Sequence, residues 1–219
     1  MIGFVHLSPG NTSTRPPFAG PLLAAGERPL YHDGLEQTCM RIIDLSRPIQ
    51  SGMPVYPGDP EVKLEVVHDY ETHGWLLRSL SLGTHSGTHV DAPAHMHREG
   101  ATLSNIPLER FIGPACLTQV TADYPCGIGL LFSEQVTHAE FPRIAAAGPP
   151  IVGGELDEEL ERALLGRGII TCTDLVNLDK LPRDARFTFI ALPFPLVEGD
   201  GSPVRAVAVI DDGSGLGGQ

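Results

Sequence analysis

A short stretch near the middle of the chain concentrates side chains that bind metal ions. Four of the nine histidines and one aspartate fall within thirteen residues, namely His85, His89, Asp91, His95 and His97. Imidazole nitrogens and a carboxylate oxygen form a ligand set suited to Zn²⁺, Mn²⁺ or Fe²⁺. The stretch therefore predicts a metal site, and the alternative is a histidine-rich polar loop that holds no metal.

The spacing of these side chains limits the backbone that could bring them together. In an extended chain alternate residues point the same way, so His85, His89 and Asp91 would share one face. A straight strand would still separate His85 from His89 by roughly 13 Å at ~3.3 Å per residue. The chain must therefore bend between the two histidines, and Gly87 is the residue that can allow the bend.

Three protein ligands leave coordination positions open, which is typical of a catalytic rather than a structural metal. A metal at His85, His89 and Asp91 would lower the pKa of a bound water toward ~7 and polarise a carbonyl group. His95 is then a candidate general base or proton shuttle, and alternatively a fourth ligand. Asp91 is a second candidate for acid–base work, whereas His97 is interpreted as a surface residue.

The elements around this stretch are mostly predicted strands. Alternating or β-branched apolar segments between turn signals predict strands at 41–45, 62–67, 75–84, 114–120, 187–192 and 204–210. Apolar residues at helical spacing with an acidic first half predict a helix over 156–167. A second helix is predicted over 133–147, broken at Pro142. Strands outnumber helices without regular alternation, which favours a single α+β domain.

Composition and charge exclude several functions. The 219 residues, with 42% hydrophobic and 19% charged side chains, fit one globular domain with a core. A net charge of −12 repels phosphate backbones, which argues against general nucleic-acid binding. No apolar run approaches the ~20 residues of a membrane span, and residues 1–6 lack signal-peptide features. Four cysteines without metal or disulfide spacing predict reduced, mostly buried thiols and a cytoplasmic location.

The chain divides by composition into three parts. Residues 1–40 carry proline- and glycine-rich turn chemistry, and we expect an N-terminal extension, partly flexible or contacting a partner subunit. Residues 41–210 form the predicted catalytic domain. Residues 211–219 are predicted to be a flexible tail.

The run from His85 to His95 resembles the HxGTHxDxPxH signature of the cyclase family, which includes bacterial kynurenine formamidases, isatin hydrolases and some polyketide cyclases. The resemblance covers about 41–210, with further similar segments at 44–46, 54–60, 108–114 and 191–206. It implies a swivelling β/β/α fold, usually a homodimer or larger, and metal-dependent ring opening or amide hydrolysis. It also implies that Tyr56 and Trp75 face the substrate, although core packing explains each equally well.

The sequence departs from the formamidase-like pattern at a second metal position. Those members use a further histidine, and a glutamate about twelve residues later, to complete a two-metal site. Glu161 stands where the histidine is expected and Thr173 where the glutamate is expected, with Asp174 one residue out of phase. Glu161 as an oxygen ligand, Asp174 brought in by a bulge, a single-metal site, and a site recruited for another chemistry all remain open.

The leading hypothesis is a metal-dependent hydrolase in which hydroxide on Zn²⁺ or Mn²⁺ attacks a small aromatic amide, formamide or lactam. The alternative is a cyclase, dehydratase or isomerase of secondary metabolism that uses the same pocket on a polyketide-like substrate. A third hypothesis is a binding protein that retains only the fold. None of the three calls for a nucleic acid or a membrane as partner.

Overall fold

The computed structural model describes residues 40–120, 123–183 and 185–211, which fall in one compact unit. The predicted extension and tail lie outside the described residues except at their inner ends. Met40 and Asp211 are themselves paired strand residues, opposite each other in antiparallel register.

Two sheets and three short helices make up the described fold. The strands are β1 (Met40–Asp44), β2 (Lys63–His68), β3 (Leu77–Ser81), β4 (His89–Asp91), β5 (Ile112–Thr118), β6 (Gly129–Phe132), β7 (Ile151–Gly153), β8 (Ile170–Thr173), β9 (Arg186–Ile190), β10 (Gly201–Pro203) and β11 (Val207–Asp211). The helices are α1 (Tyr70–His73), α2 (Phe141–Ala147) and α3 (Glu158–Gly166). This strand-rich composition confirms the predicted α+β class.

Nine strands form one mixed sheet in the order β1-β11-β9-β5-β6-β7-β8-β4-β10. The central strands β5, β6, β7 and β8 run parallel, and the other pairs are antiparallel. Helix α2 connects β6 to β7, and α3 connects β7 to β8. Both helices pack on the same face of the sheet, where they cover the side chains of Leu130, Phe132 and Val152.

The strands divide their side chains between two hydrophobic cores, one on each face of the sheet. In β6, Leu130 and Phe132 belong to the core under the helices, and Leu131 belongs to the opposite core. The helix-side core also contains Leu160 and Leu164, one turn apart on α3. The sheet therefore holds α3 in a fixed place beside the carboxyl end of β8.

The six predicted strands are confirmed as β1, β2, β3, β5, β9 and β11, with ends that shift by up to three residues. The extended backbone expected from His89 to Asp91 is present as β4, whereas strands β6, β7, β8 and β10 were missed. The parallel strands β6 and β7 are short and wholly buried, so they show continuous apolar runs rather than alternation, and β8 has only four residues, too few for a clear pattern. The second predicted helix was too long, because only α2 is α-helical there and Pro142 lies in its first turn rather than breaking it.

Strands β2 and β3 form a separate two-stranded sheet. The hairpin exposes large apolar side chains along its length, namely Val66, Val67, Trp75, Leu76, Leu77 and Leu80. A two-stranded hairpin is only marginally stable by itself in water. This unit is thus the least buried part of the described fold.

Two further expectations concern thiols and membranes. Among the described cysteines, which form no disulfide, Cys172 is buried, Cys116 is partly buried and Cys126 is exposed. Burial of most thiols is therefore confirmed only in part. In the ranges that the structure covers, no helix has the length and apolar character needed to cross a bilayer.

Helix α3 begins at a side-chain cap, which gives a test of its stability. Asp157 accepts a hydrogen bond from the Leu160 backbone N–H at 2.7 Å and another from the His138 backbone N–H at 3.0 Å. We expect Asp157→Ala to lower the free energy of unfolding by about 1–2 kcal/mol, because both N–H groups lose their acceptor. Urea denaturation would measure the loss, and the exposed neighbour Glu159 provides a control as Glu159→Ala, with little change.

Candidate metal centre

Strand β4 carries the centre of the histidine cluster between two other strands. It pairs with β8 on one side and β10 on the other, both antiparallel. Asp91 lies opposite Thr171 on β8 and opposite Gly201 on β10, and His89 lies opposite Thr173. Side chains from three strands therefore meet around Asp91.

The bend predicted between the two histidines is present at Gly87. Gly87 has a φ of 64°, which L side chains rarely adopt. A Cβ there would also lie 2.6 Å from Ile49 Cδ1, so only glycine fits. The bend turns the chain back on itself, and the His85 Nδ1–H donates to Asp91 Oδ1 at 2.6 Å.

The same turn orients the second histidine. His89 Nδ1 lies 2.6 Å from the Gly87 carbonyl oxygen, which can only accept, so Nδ1 carries a proton. His89 Nε2 then faces Asp91 Oδ1 at 3.3 Å and Thr173 Oγ1 at 3.0 Å. A backbone carbonyl that fixes one ring nitrogen is the usual support of a metal-ligating histidine.

The three predicted ligands are thus brought together. One ligand atom from each of His85, His89 and Asp91 lies within 4.8 Å of the others. The Asp91 side chain is only 1% exposed, and this buried carboxylate faces two imidazole rings. A buried negative charge with two nitrogen donors has the chemistry that a divalent cation requires, so the donor set fits a metal ion.

The electrostatics of the group follow from this burial. Burial alone would raise the pKa of Asp91, but hydrogen bonds from His85 and His89 outweigh it and hold that pKa well below its usual range. Burial would lower the pKa of His85, but its bonds to Asp91 and Asp200 raise it to about 9. Protons on the imidazoles therefore balance the carboxylate in the protein without metal.

Glu161, a predicted second-site residue, is connected to Asp91 through the hydroxyl group of Thr171. The Thr171 hydroxyl is 2.8 Å from Asp91 Oδ2 and 3.0 Å from Glu161 Oε1, so it connects the two carboxyl groups. Burial, and then the negative charge of Asp91, raise the pKa of Glu161 to about 7. Within the described ranges Glu161 belongs to no cluster of convergent ligand atoms.

Asp174, the other predicted second-site residue, points elsewhere. Its backbone has a φ of 56°, and its carboxylate forms an ion pair with Arg47, with Arg47 Nε donating at 2.6 Å. Asp174 therefore lies at the pocket wall and outside the ligand cluster. No bulge turns the Asp174 side chain toward the ligand cluster, because β8 ends at Thr173 and the chain then turns toward Arg47.

His95 lies beside the cluster on a short 3₁₀ turn, Pro93–His95. Its ring centre is 3.8 Å from that of His85, and its Nδ1 is 3.7 Å from Asp200 Oδ2. Burial and the charge of His85 lower the pKa of His95. His85, His95 and Asp200 form a second group whose ligand atoms lie within 4.8 Å of one another.

A pocket of about 990 Å³ opens over these residues. Its wall includes the predicted ligands and His95, together with the apolar or aromatic side chains of Tyr56, Met96, Phe132, Leu156, Leu175 and Leu178. Trp75 lies on the hairpin instead, where its indole N–H donates to His68 Nδ1 at 2.9 Å, and it is not a wall residue. His97 is half-buried, with Nε2 2.7 Å from the Arg162 carbonyl.

Two residues of the centre were missed as site residues. Asp200 contacts His85 across 115 positions, and Thr171 contacts Asp91 across 80. Neither has a spacing signal, because strand pairing alone brings them to β4. The Gly199–Pro203 segment that matched the family pattern was the only available indication for Asp200.

Comparisons with known proteins identify related sequences. The family model described as "Putative cyclase" matches residues 43–147. The chain is 32% identical to the kynurenine formamidase of Salinibacter ruber, over 77% of this chain and 97% of that protein. It is 30% identical to the kynurenine formamidase of Sphingopyxis alaskensis, over 76% and 97%.

Solved structures show the same fold. Isatin hydrolase A from Labrenzia aggregata matches 79% of this chain and 94% of its own, with a TM-score of 0.68 at 21% identity, a likeness that concerns the fold alone. A protein described as a potential metal-dependent hydrolase with cyclase activity matches 78% and 98%, with a TM-score of 0.60 at 28% identity.

The ligand cluster yields a direct test. We expect the protein reconstituted with Zn²⁺ or Mn²⁺ to hold about one ion per chain, and Asp91→Asn to hold less than about one fifth of that, because the only buried anion of the cluster is removed. Elemental analysis after desalting measures the content. Asp174→Asn, a carboxylate of the same pocket outside the cluster, is the matched control and should keep its metal; equal metal in both variants would contradict the assignment.

Proposed function

The chain belongs to the cyclase family, and from this we propose that it is a metal-dependent hydrolase that cleaves a small aromatic amide, formamide or lactam. The observation that carries the proposal is the convergence of His85, His89 and Asp91 at one end of the pocket. The full-length similarity to kynurenine formamidases supports the formamide class of substrate.

His85, His89 and Asp91 would hold the ion, and we propose Zn²⁺ or Mn²⁺ because both accept imidazole and carboxylate ligands. A divalent ion there would polarise the substrate carbonyl and make a water molecule acidic enough to ionise near neutral pH. A single ion is proposed, since Thr173 offers only a hydroxyl and Asp174 is paired with Arg47.

His95 is the proposed proton carrier. It lies beside the ligands and lines the pocket, while its Nδ1 is close to Asp200 without belonging to the Asp91 cluster. During hydrolysis water adds across the C–N bond, with its oxygen joining the carbonyl carbon and a proton joining the leaving nitrogen. His95 can accept the water proton at one ring nitrogen and return it to the leaving group.

The pocket has room for a substrate of modest size and offers apolar side chains to its aromatic part. Its volume of about 990 Å³ is within the usual range for small-molecule sites. Phe132, Leu156 and Leu175 line the wall, and Tyr56, which is 71% exposed, stands at the pocket with its ring available for contact. We propose that Tyr56 packs against the aromatic part of the substrate, a role that the hairpin position of Trp75 does not support.

The alternative function in secondary metabolism is not favoured. The relatives that this chain matches over nearly their whole length are kynurenine formamidases, which are hydrolases by name. A binding protein that retains only the fold could also hold a metal at His85 and His89, so measured turnover is what separates it from the hydrolase. A cytoplasmic location remains a prediction that rests on the cysteine pattern.

Self-association as a homodimer is proposed through the β2–β3 hairpin. Its apolar side chains are about half exposed, among them Val66 at 50%, Trp75 at 56% and Leu80 at 49%. Val66 and Leu80 lie on the same face, because Leu64 pairs with Leu80 and Val66 with Arg78. A second copy of the hairpin would bury matching apolar surface on both subunits, as a two-fold interface requires.

Hydrolysis and its dependence on His95 can be measured together. We expect the metal-loaded protein to hydrolyse at least one substrate of a panel of aryl formamides, anilides and isatin-type lactams, with activity lost on chelation and restored by the metal. His95→Ala should lower kcat about 10²–10⁴-fold while metal content stays unchanged, because it removes only the proton carrier.

His97→Ala is the matched control, since His97 is two residues away and does not line the pocket, and its ring bonds to the backbone carbonyl of Arg162. It should keep the wild-type rate. Hydrolysis that survives complete removal of metal would reject the metal-dependent assignment, and an active His95→Ala would reject the role of His95.

The oligomer is tested by light scattering after gel filtration. We expect a dimer for the wild type and a monomer for Val66→Asp combined with Leu80→Asp, because two buried charges per subunit would be left unpaired. Val120→Asp, at a residue that is 41% exposed outside the hairpin, should remain a dimer. An unchanged mass for the hairpin variant would place the interface elsewhere.

A further inference from the structure

The carboxylate of Asp200 contacts the outer nitrogen of a proposed metal ligand. The His85 Nε2–H donates to Asp200 Oδ2 at 2.9 Å, and the other oxygen, Oδ1, accepts from the Thr84 hydroxyl at 3.0 Å. The backbone of Asp200 is also fixed, because its carbonyl accepts from the Ala92 N–H at 2.8 Å. Asp200 is therefore held against His85 from two directions.

The two ring nitrogens of His85 face different partners. Nδ1 points at Asp91 inside the cluster, and Nε2 points at Asp200 outside it. A neutral imidazole that binds a cation through Nδ1 must carry its proton on Nε2. A carboxylate at Nε2 accepts a hydrogen bond from that N–H and so favours this orientation of the ring, as carboxylates behind metal-bound histidines do.

The next residue, Gly201, leaves the space that the His85 ring occupies. A Cβ at Gly201 would lie 2.3 Å from His85 Cε1 and 2.8 Å from Nδ1. Gly201 is a strand residue of β10 paired with Asp91, so its backbone cannot move aside without disturbing β4. Any larger side chain at this position would push the ring away from the cluster.

We propose that Asp200 and Gly201 together form the seat of His85, with Asp200 as a positioning residue that raises metal affinity without binding the ion. The proposal rests on the metal site of the proposed function. The competing possibility is that Asp200 itself binds a second ion with His85 and His95, whose ligand atoms also converge. The positioning role is favoured because Nδ1 of His85 faces Asp91 and Nε2–H donates a hydrogen bond to Asp200. A second ion bound at Nε2 would require the loss of that proton.

The test compares Zn²⁺ affinity, measured by competition with a chromophoric chelator, between the wild type and three variants. Asp200→Ala removes both the charge and the acceptor, and we expect its affinity to fall about 10–100-fold. Asp200→Asn keeps an amide oxygen that can still accept from Nε2–H, so its loss should be smaller than that of Asp200→Ala. Gly201→Ala keeps every charge and should lose at least about tenfold in affinity through displacement of the ring.

Two controls match these changes. Gly113→Ala adds a Cβ in a strand where nothing lies within 4 Å, and it should bind Zn²⁺ as the wild type does. Thr84→Val removes only the hydroxyl that holds Asp200 and should produce an intermediate loss. The melting temperature of the metal-free protein separates lost affinity from lost folding, and it should stay nearly unchanged in both Asp200 variants.

The outcomes distinguish the possibilities. Wild-type affinity in Asp200→Ala and Gly201→Ala overturns the positioning role while the metal site stands. Equal losses of affinity in Asp200→Ala and Asp200→Asn, with no loss in Gly201→Ala, would mean that Asp200 acts only through its charge, and this result also overturns the positioning role. Two ions in the wild type and one in Asp200→Ala identify Asp200 as a ligand, and a wild type that binds no Zn²⁺ overturns the proposed function itself.

Discussion

The burial of the Asp91 carboxylate is the constraint on which the arrangement of the site depends. Asp91 is almost completely removed from solvent, and an isolated buried charge is costly enough that it must be paired or bound to a metal. Two imidazoles and one hydroxyl meet that requirement from three directions. Without metal, protons on the two imidazoles balance the negative charge of Asp91. A divalent cation would balance the same charge.

The sheet brings the partners from β8 and β10 to Asp91 and the two histidines through strand order rather than through nearness in sequence. Because β4 is inserted between β8 and β10, its two edges receive Thr171 and Thr173 from one side and the Asp200–Gly201 segment from the other. The parallel strands behind β8 bring α3 alongside, which adds Glu161 next to Thr171. The contacts that surround the three convergent side chains therefore depend on long-range strand pairing, whereas the convergence of His85, His89 and Asp91 is local.

The accuracy of the fold prediction depended on how each strand is buried. Strand β9, which has one buried and one exposed face, alternates apolar and polar residues and was found from the sequence, as was β2, which alternates in its first half. Strands with both faces buried, such as β6 and β7, lack this alternation. The predicted helix over 133–147 extended too far because Pro142 lies in the first turn of α2, which begins only at Phe141. The exposed hairpin was recognised as strand, but nothing in its pattern placed Trp75 away from the pocket.

The convergence of His85, His89 and Asp91 could be predicted from the sequence alone. The spacing of His85, His89 and Asp91, with a glycine at the necessary bend, is local information, and local backbone geometry is enough to bring those side chains together. Only the tertiary structure decided what surrounds them: that Asp174 turns to Arg47, that Glu161 reaches Asp91 through Thr171, and that Asp200 supports His85. These contacts join residues up to 127 positions apart, and such distances are closed by strand pairing and burial, which no local pattern specifies.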